Sequence, residues 1–570
     1  MTVRREIWFA GFGIAALVAL PRLAAAGGLL VPGAGPASTS RAGASVAAAD
    51  DGEALVLNPA GIAKAEGTTI TLGAALIDYA MTFQRRGTYD PVPGEAYPYA
   101  NQPFRAVRND ASPLGVGGLL PLPVFAVLSD LGGRVPGLHV GAGIYAPNSY
   151  PFRDMCTDLG SGAGCQKYVF STPTMPLNPN IPPPPTRYDI MKQEALVFLP
   201  SIAAAYRILP QLDVGVRLSW GFANLKSTAA LWGFPANYDE DIKKDGTLSV
   251  DVTDSFVPAF GLGVTYRPTP SLEFGANYSS ELDIHSKGIA TQQLGPSATL
   301  AGSPVTIVPR PGSCDPAAPP APAGATDLTT CLDLAVPMTA QLAARYKFLD
   351  AAGKLKGDVE LDLDWENWGK SCSSADFNSG RCVSPGDYRV VVDAEAQVNG
   401  VPVLSNGFLK NAEIKHGFRD TYAARLGGSY RLSIGAPRDD GNHNELILRG
   451  GLGYETAAAT TGWLRADLDG AARTTITVGA AYRMQHYEIS LGGGVILEGS
   501  PSNPNVGGGA TPCNPTSTST DLTCNGSTTH QGPDPLSPLF VANNQVLNPV
   551  NQGDYSSHYV LLMLGVSAWF

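Results

Sequence analysis

The chain is poor in charge. Asp, Glu, Lys and Arg make up 16% of its 570 residues, well below the roughly 25% of ordinary soluble domains. Its formal net charge of -11 repels a phosphate backbone and sets nucleic acid aside as a partner. Long apolar runs are also missing. Ile7 to Leu20 is shorter than the roughly 20 residues a membrane helix needs, and no later segment comes close to it without charges. With Arg4 and Arg5 ahead of it and Ala24-Ala25-Ala26 behind, that run reads as a secretory signal cut just before Gly27, so residues 1–26 form an export address. An exported chain without a membrane helix can span a bilayer only as a closed barrel, where every backbone group still finds a partner.

Signatures of chemistry are lacking as well. His139, His285, His416, His443, His486, His530 and His558 are scattered, and no Gly-x-Ser-x-Gly elbow appears. No Cys-x-x-Cys spacing or His cluster suggests a metal, and none is expected; nor is a cofactor. Gly-x-Gly occurs at Gly141-Ala142-Gly143, Gly261-Leu262-Gly263 and Gly451-Leu452-Gly453. These glycines lie within strand patterns rather than between a strand and a helix, so they suggest bends or open space, not a phosphate loop. The expectation is a protein that is not an enzyme.

What the chain does have is 65 glycines, 47 prolines and 44% hydrophobic residues, a mixture that suits many strands joined by irregular loops. Period-two alternation recurs. From Lys354 to Glu366 one face reads Leu355, Gly357, Val359, Leu361, Leu363, Trp365, and the other reads Lys354, Lys356, Asp358, Glu360, Asp362, Asp364, Glu366. Leu212–Trp220, Leu272–Ser279 and Tyr487–Leu497 alternate likewise. Fourteen strands are predicted, starting near Thr68, Gly115, Gly137, Lys192, Gln211, Thr247, Ser271, Leu334, Lys354, Lys415, Glu445, Ala472, Tyr487 and Tyr555. Tight connections such as Arg207–Pro210 and Arg483–His486 alternate with long ones such as 149–190 and 499–554. The fold class is therefore all-β, a fourteen-stranded antiparallel transmembrane barrel with short turns at one end and long loops at the other.

All eight cysteines fall in the long connections. Near neighbours within separate loops are the obvious choice among 105 pairings: Cys156/Cys165, Cys314/Cys331, Cys372/Cys382 and Cys513/Cys524.

The last strand ends on Phe570, with Ala568, Val566, Leu564 and Leu562 alternating behind it. This resembles the signature by which the barrel assembly machinery recognises bacterial outer-membrane proteins. Ahead of the first strand, Ser38 to Asp51 is rich in small residues and leads into Asn58-Pro59-Ala60-Gly61, a turn signal with Pro suited to a helix start. In this position it resembles the hatch of the FadL/TodX family of outer-membrane hydrophobic-compound transporters. Asp362-Leu363-Asp364-Trp365-Glu366-Asn367-Trp368, Phe418-Arg419-Asp420-Thr421-Tyr422 and Trp569-Phe570 extend the resemblance over nearly the whole mature chain. The departures are the loop cysteines and the proline-rich stretches Ile181–Pro185 and Pro316–Pro322.

The resemblance implies a hatch over 27–67 and a barrel over 68–570, monomeric and set in outer-membrane lipid. It implies capture of a hydrophobic small molecule from outside, foremost a long-chain fatty acid, with an aromatic hydrocarbon or a terpenoid as alternatives, then passage past the hatch and release through the wall near a kink in the third strand. Asn58 to Gly61 would then anchor the plug. In the third strand Gly141 and Gly143 remove side chains from one face and Pro147 removes a ladder donor or simply ends the strand. Lumen-facing Arg217 and Arg449 would hold a ligand carboxylate, or else pair with the acidic face of Lys354–Glu366. A barrel lipase and an adhesive surface barrel are the competing functions.

Overall fold

The structure is a computed structural model that describes residues 30–109, 119–146, 152–155, 182–231, 240–300, 302–310, 314, 327–402, 412–437, 443–459, 463–503 and 550–570. Fourteen strands form its wall: β1 Thr68–Arg85, β2 Leu119–Ser129, β3 Leu138–Tyr145, β4 Lys192–Leu209, β5 Leu212–Leu231, β6 Gly246–Tyr266, β7 Leu272–Ser279, β8 Thr339–Leu349, β9 Leu355–Glu366, β10 Thr421–Ile434, β11 Asn444–Glu455, β12 Arg473–Arg483, β13 Tyr487–Leu497 and β14 Gly553–Trp569. Each is antiparallel to the next. β14 then pairs with β1 from Thr69↔Trp569 to Arg85↔Gly553 and closes the ring. Closure leaves the sheet no edge, which is the condition for a sheet to cross a bilayer.

The alternation read from the sequence is the alternation of the wall. On β9, Val359, Leu361 and Leu363 are exposed on the outside, while Asp358, Glu360 and Asp362 are buried inside the ring. Outward aromatics bound the apolar band; on β10 they are Tyr422 and Tyr430, near its two ends. Strand starts match the expectation within a few residues, with two instructive exceptions. Leu334 belongs to a separate segment, Leu328–Val336, that continues β8 outward. Lys415 does not open β10: Gly417 takes φ +56, a left-handed conformation that interrupts extension, and the strand begins at Thr421.

Beyond the ring, Leu282–Gln293, Leu328–Val336 and Tyr388–Val398 pair with one another and carry the wall past the long-loop end. Two disulfides lock this extension, Cys314–Cys331 and Cys372–Cys382, both in the expected pairing. Cys331, however, sits inside a strand segment rather than in a loop. Cys156, Cys165, Cys513 and Cys524 lie outside the described residues.

Candidate functional site

The interior of the ring is filled at one level by residues 30–67, which form two short helices, α1 Pro36–Thr39 and α2 Ala54–Leu57, and a 3-10 turn, Pro59–Lys64. Glu53 ties this hatch together. Its carboxylate accepts the backbone N–H groups of Ala37 and Ser38, each at 2.8 Å, which satisfies free donors at the start of α1. Burial pushes the Glu53 carboxyl above its ordinary range, against the pull of its bonds to Ser38 and Ala37.

The hatch meets the acidic inner face of β9. Arg41 reaches Asp358 at 2.9 Å and Glu360 at 3.1 Å. The N–H groups of Ser45 and Val46 donate to Asp362, and that of Ala47 to Glu360 at 2.6 Å. Asn58 bridges hatch and wall: its Nδ2 donates to the carbonyls of Val46 (2.9 Å) and Val264 (3.1 Å), and its Oδ1 accepts from Ala60. Pro59 opens the 3-10 turn and, like Ala60 and Gly61, is buried; Gly61 packs against Ala49.

The wall makes room for this plug with small residues. A Cβ at Gly215 would overlap the backbone of Pro59 and Ala60, and one at Gly451 that of Arg41 and Ala42. Gly73, Gly275, Gly427, Gly479 and Gly565 abut the hatch in the same way. The space that the Gly-x-Gly clusters suggested is thus occupied: Gly263 faces Asn58 and Pro59, while Gly261 and Gly453 lie beneath Arg217 and Arg425.

Gly141 and Gly143 lie on β3, where the missing side chains leave room for Ile62 and Leu55 of the hatch. The ladders of β3 to β2 and β4 are continuous through both glycines. Pro147 lies outside the described residues. Arg217 donates to the carbonyls of Leu55 (3.0 Å) and Val56 (2.9 Å) and to Ser279 Oγ (3.2 Å). Arg449 pairs with Glu488 at 2.5 Å and with Ser490. The acids of β9 are taken instead by Arg41, Arg345 and Arg425. The two motif stretches meet across β9 and β10: Asp420 accepts from Trp365 Nε1 at 3.0 Å and from the Gly369 N–H at 2.9 Å.

Toward the long loops the character of the lumen changes. Along β5 the inward face runs Asp213, Gly215, Arg217, Ser219, Gly221, Ala223, Leu225, while the outward face runs Val214, Val216, Leu218, Trp220, Phe222, Asn224, Lys226. The two faces exchange polarity near Phe222. Above that level Leu225, Val252, Val257, Ile284, Leu332 and Val392 form one buried apolar cluster inside the wall. A cavity of about 150 Å³ lies between this region and the hatch, lined by Leu57, Tyr145, Leu199, Leu282 and Val336 and by the polar Arg217, Asn277, Ser279 and Gln341. A smaller cavity of about 50 Å³, lined by Asp50, Asp51, Arg345, Arg431, Arg449 and Arg483, lies on the short-turn side of the hatch.

Beside the larger cavity the wall is incomplete. The β6–β7 ladder reaches Gly261↔Ser279 and resumes only at Thr253↔Lys287. One backbone bond, from Ser280 N–H to the Phe260 carbonyl at 2.9 Å, and two side chains mend the interval: Ser280 Oγ accepts the Phe260 N–H at 2.9 Å, and Asp254 accepts the His285 N–H at 2.8 Å. Because alternate residues of a strand donate to the same side, Pro258, which has no N–H, stands where β7 would have accepted one. Among the described residues no group of His, Cys, Asp and Glu is arranged to hold a metal.

The family model described as outer membrane protein transport protein (OMPP1/FadL/TodX) matches residues 192–495. No curated protein matches the chain in sequence. Among solved structures, a Pseudomonas aeruginosa FadL homologue aligns with TM-score 0.60 at 13% identity, over 95% of this chain and 100% of that one. The Pseudomonas putida toluene transporter TodX aligns with TM-score 0.52 at 12% identity, over 95% and 99%. At such identities the likeness is one of fold.

Proposed function

Because this chain belongs to the OMPP1/FadL/TodX outer membrane protein transport family, we propose that it carries small hydrophobic molecules inward across the bacterial outer membrane. The carrying observation is the exchange of polarity on the inner wall: a largely apolar chamber stands above a hatch held by charge pairs. An apolar solute gains free energy by leaving water for such a chamber, roughly 25 cal/mol per Å² buried. The hatch, anchored by Asn58 to Gly61, bars the direct path, so cargo leaves sideways into lipid. At Gly141 and Gly143 the inner face of β3 is covered by hatch side chains, and a small hatch movement would bare it. The open ladder between β6 and β7 favours a second lateral route. Long-chain fatty acids offer Arg217 a carboxylate partner, and the similar structure TodX is a toluene transporter, so aromatic hydrocarbons are the other cargo class. The outward apolar band would sit in outer-membrane lipid, the β14 ending would be read by the assembly machinery, and the ring closes as a monomer.

The test is uptake of labelled oleate and labelled toluene by a transporter-deficient bacterial host expressing the chain. Uptake of either above the empty-vector level is expected. Hydrolysis of a labelled ester without uptake would establish a lipase instead, and neither activity would leave a structural or adhesive barrel.

A further inference from the structure

Resting on that reading, we propose that the 150 Å³ cavity selects a phenol, cargo with one aromatic ring and one hydroxyl, over the plain hydrocarbon of the same shape and over a long-chain acid. The first observation is an oriented amide. Asn277, 5% exposed, lines the cavity from the inner face of β7. Its Nδ2 donates to Gln341 Oε1 at 3.0 Å, Gln341 Nε2 donates to Asp364 Oδ1 at 3.2 Å, and Asp364 Oδ2 accepts Arg425 Nε at 2.6 Å. A carboxylate beside a guanidinium only accepts, so Gln341 must turn its NH2 to Asp364 and its oxygen to Asn277. Asn277 must in turn donate to Gln341. That leaves Asn277 Oδ1 as a buried acceptor with no partner among the described residues.

The second observation is a buried cation. Arg217, 3% exposed, lines the same cavity. Its terminal nitrogens bond to two carbonyls and a hydroxyl, it stands over the Tyr145 ring at 5.2 Å, and its Nε finds no partner among the described residues. No carboxylate among those residues forms a salt bridge with it, whereas the lumen arginines Arg41, Arg345 and Arg425 all have one. Ser279, which takes Arg217 Nη2, is two residues from Asn277 on the same inward face.

Unpaired buried donors and acceptors are costly, and a ligand group that satisfies both is favoured over one that satisfies neither. A hydroxyl oxygen accepts from the cation while its proton goes to the amide oxygen. An ionised carboxylate would serve Arg217 but would press against Asn277 Oδ1 and against Asp364 and Glu366, which line the same cavity. A hydrocarbon serves neither group. The space, about 150 Å³, is also of the size that takes a single ring.

Isothermal titration of the purified full-length protein in detergent would use p-cresol, p-xylene, in which a methyl replaces the hydroxyl, and oleate. The expected result is p-cresol binding at least tenfold tighter than p-xylene, since sites built around a hydroxyl discriminate strongly against its loss. Asn277→Leu should erase that preference, bringing p-cresol and p-xylene to equal affinity. If this variant does not fold, Asn277→Ala and the wild-type comparison carry the test. Equal binding of p-cresol and p-xylene, a preference surviving at position 277, or oleate as the tightest ligand overturns the phenol assignment while leaving hydrophobic transport standing. Failure of all three to bind overturns both.

Discussion

Arg41 holds the hatch through groups that no motif in the sequence marks. It is 4% exposed and joins the hatch to two carboxylates of β9, while its Nε closes on the Ala44 carbonyl at 2.8 Å. Breaking one partner out of a buried charge pair costs about 3–5 kcal/mol, because the other charge is left buried and uncompensated. In Arg41→Met that cost falls on hatch docking, since the ladders of the wall do not involve the residue. Asp358 keeps Arg345 at 2.8 Å, but among the described residues Glu360 is left with hatch N–H donors alone as hydrogen-bond partners. Limited proteolysis in detergent should therefore cut the variant's hatch at least tenfold faster than the wild type's, while the thermal transition of the barrel stays in place. Arg449→Met is the control of smaller effect, because Glu488 retains Arg483 at 2.6 Å. Equal hatch protection in Arg41→Met and wild type would mean that the ion pairs do not hold the plug.

At the level of strands, period two reports only that a strand has two faces, which is why the wall was legible from the sequence and its contents were not. Asp358, Glu360 and Asp362 were readable as lumen residues, yet their partners come from a segment more than 300 residues earlier in the chain, a relation local alternation does not encode. The glycine-rich inner faces were readable as empty space. That a folded segment fills it follows from the aggregate of Gly73, Gly215, Gly275, Gly427, Gly451, Gly479 and Gly565 at one level, which emerges only once register is known. The exchange of faces on β5 was present in the sequence, but the alternation read over Leu212–Trp220 stopped just short of it. The same holds for the β6–β7 interval, whose mark was Pro258 inside an otherwise regular strand. Backbone amides that lack ladder partners exchange faster than those that have them. Leu282 to Ile284 still pair with Leu334 to Val336 on their other side, so the amides turned toward β6 are the ones left open, and their hydrogen exchange should be faster than that of Leu272–Ser279 in the same wall. Uniform protection across both would show the ladder to be closed there.

Taken whole, the molecule combines two bodies stabilised by different physics. The wall is a ring whose backbone hydrogen bonds close on themselves from β1 to β14, so its integrity needs nothing from within. The hatch holds by side-chain charge, by Asn58 and by close contact with glycines. Deleting Gly27 to Ala54 should therefore leave a folded barrel and remove most of the plug, raising single-channel conductance in planar bilayers well above the wild-type level. The deletion takes away one base, Arg41, and three acids, Asp50, Asp51 and Glu53. It bares Glu360 and Asp362 on β9, and it also removes the acids that share the smaller cavity with Arg431, Arg449 and Arg483. Charges of both signs then face the opened path, and a passage concentrates one kind of ion only where one sign of charge lines it. The opened pore should therefore pass cations and anions alike, with reversal potentials near zero in a salt gradient. Conductance unchanged near zero would mean that residues 27–54 occlude nothing, and a strongly selective pore would mean that one of the two sets of charges does not line the path.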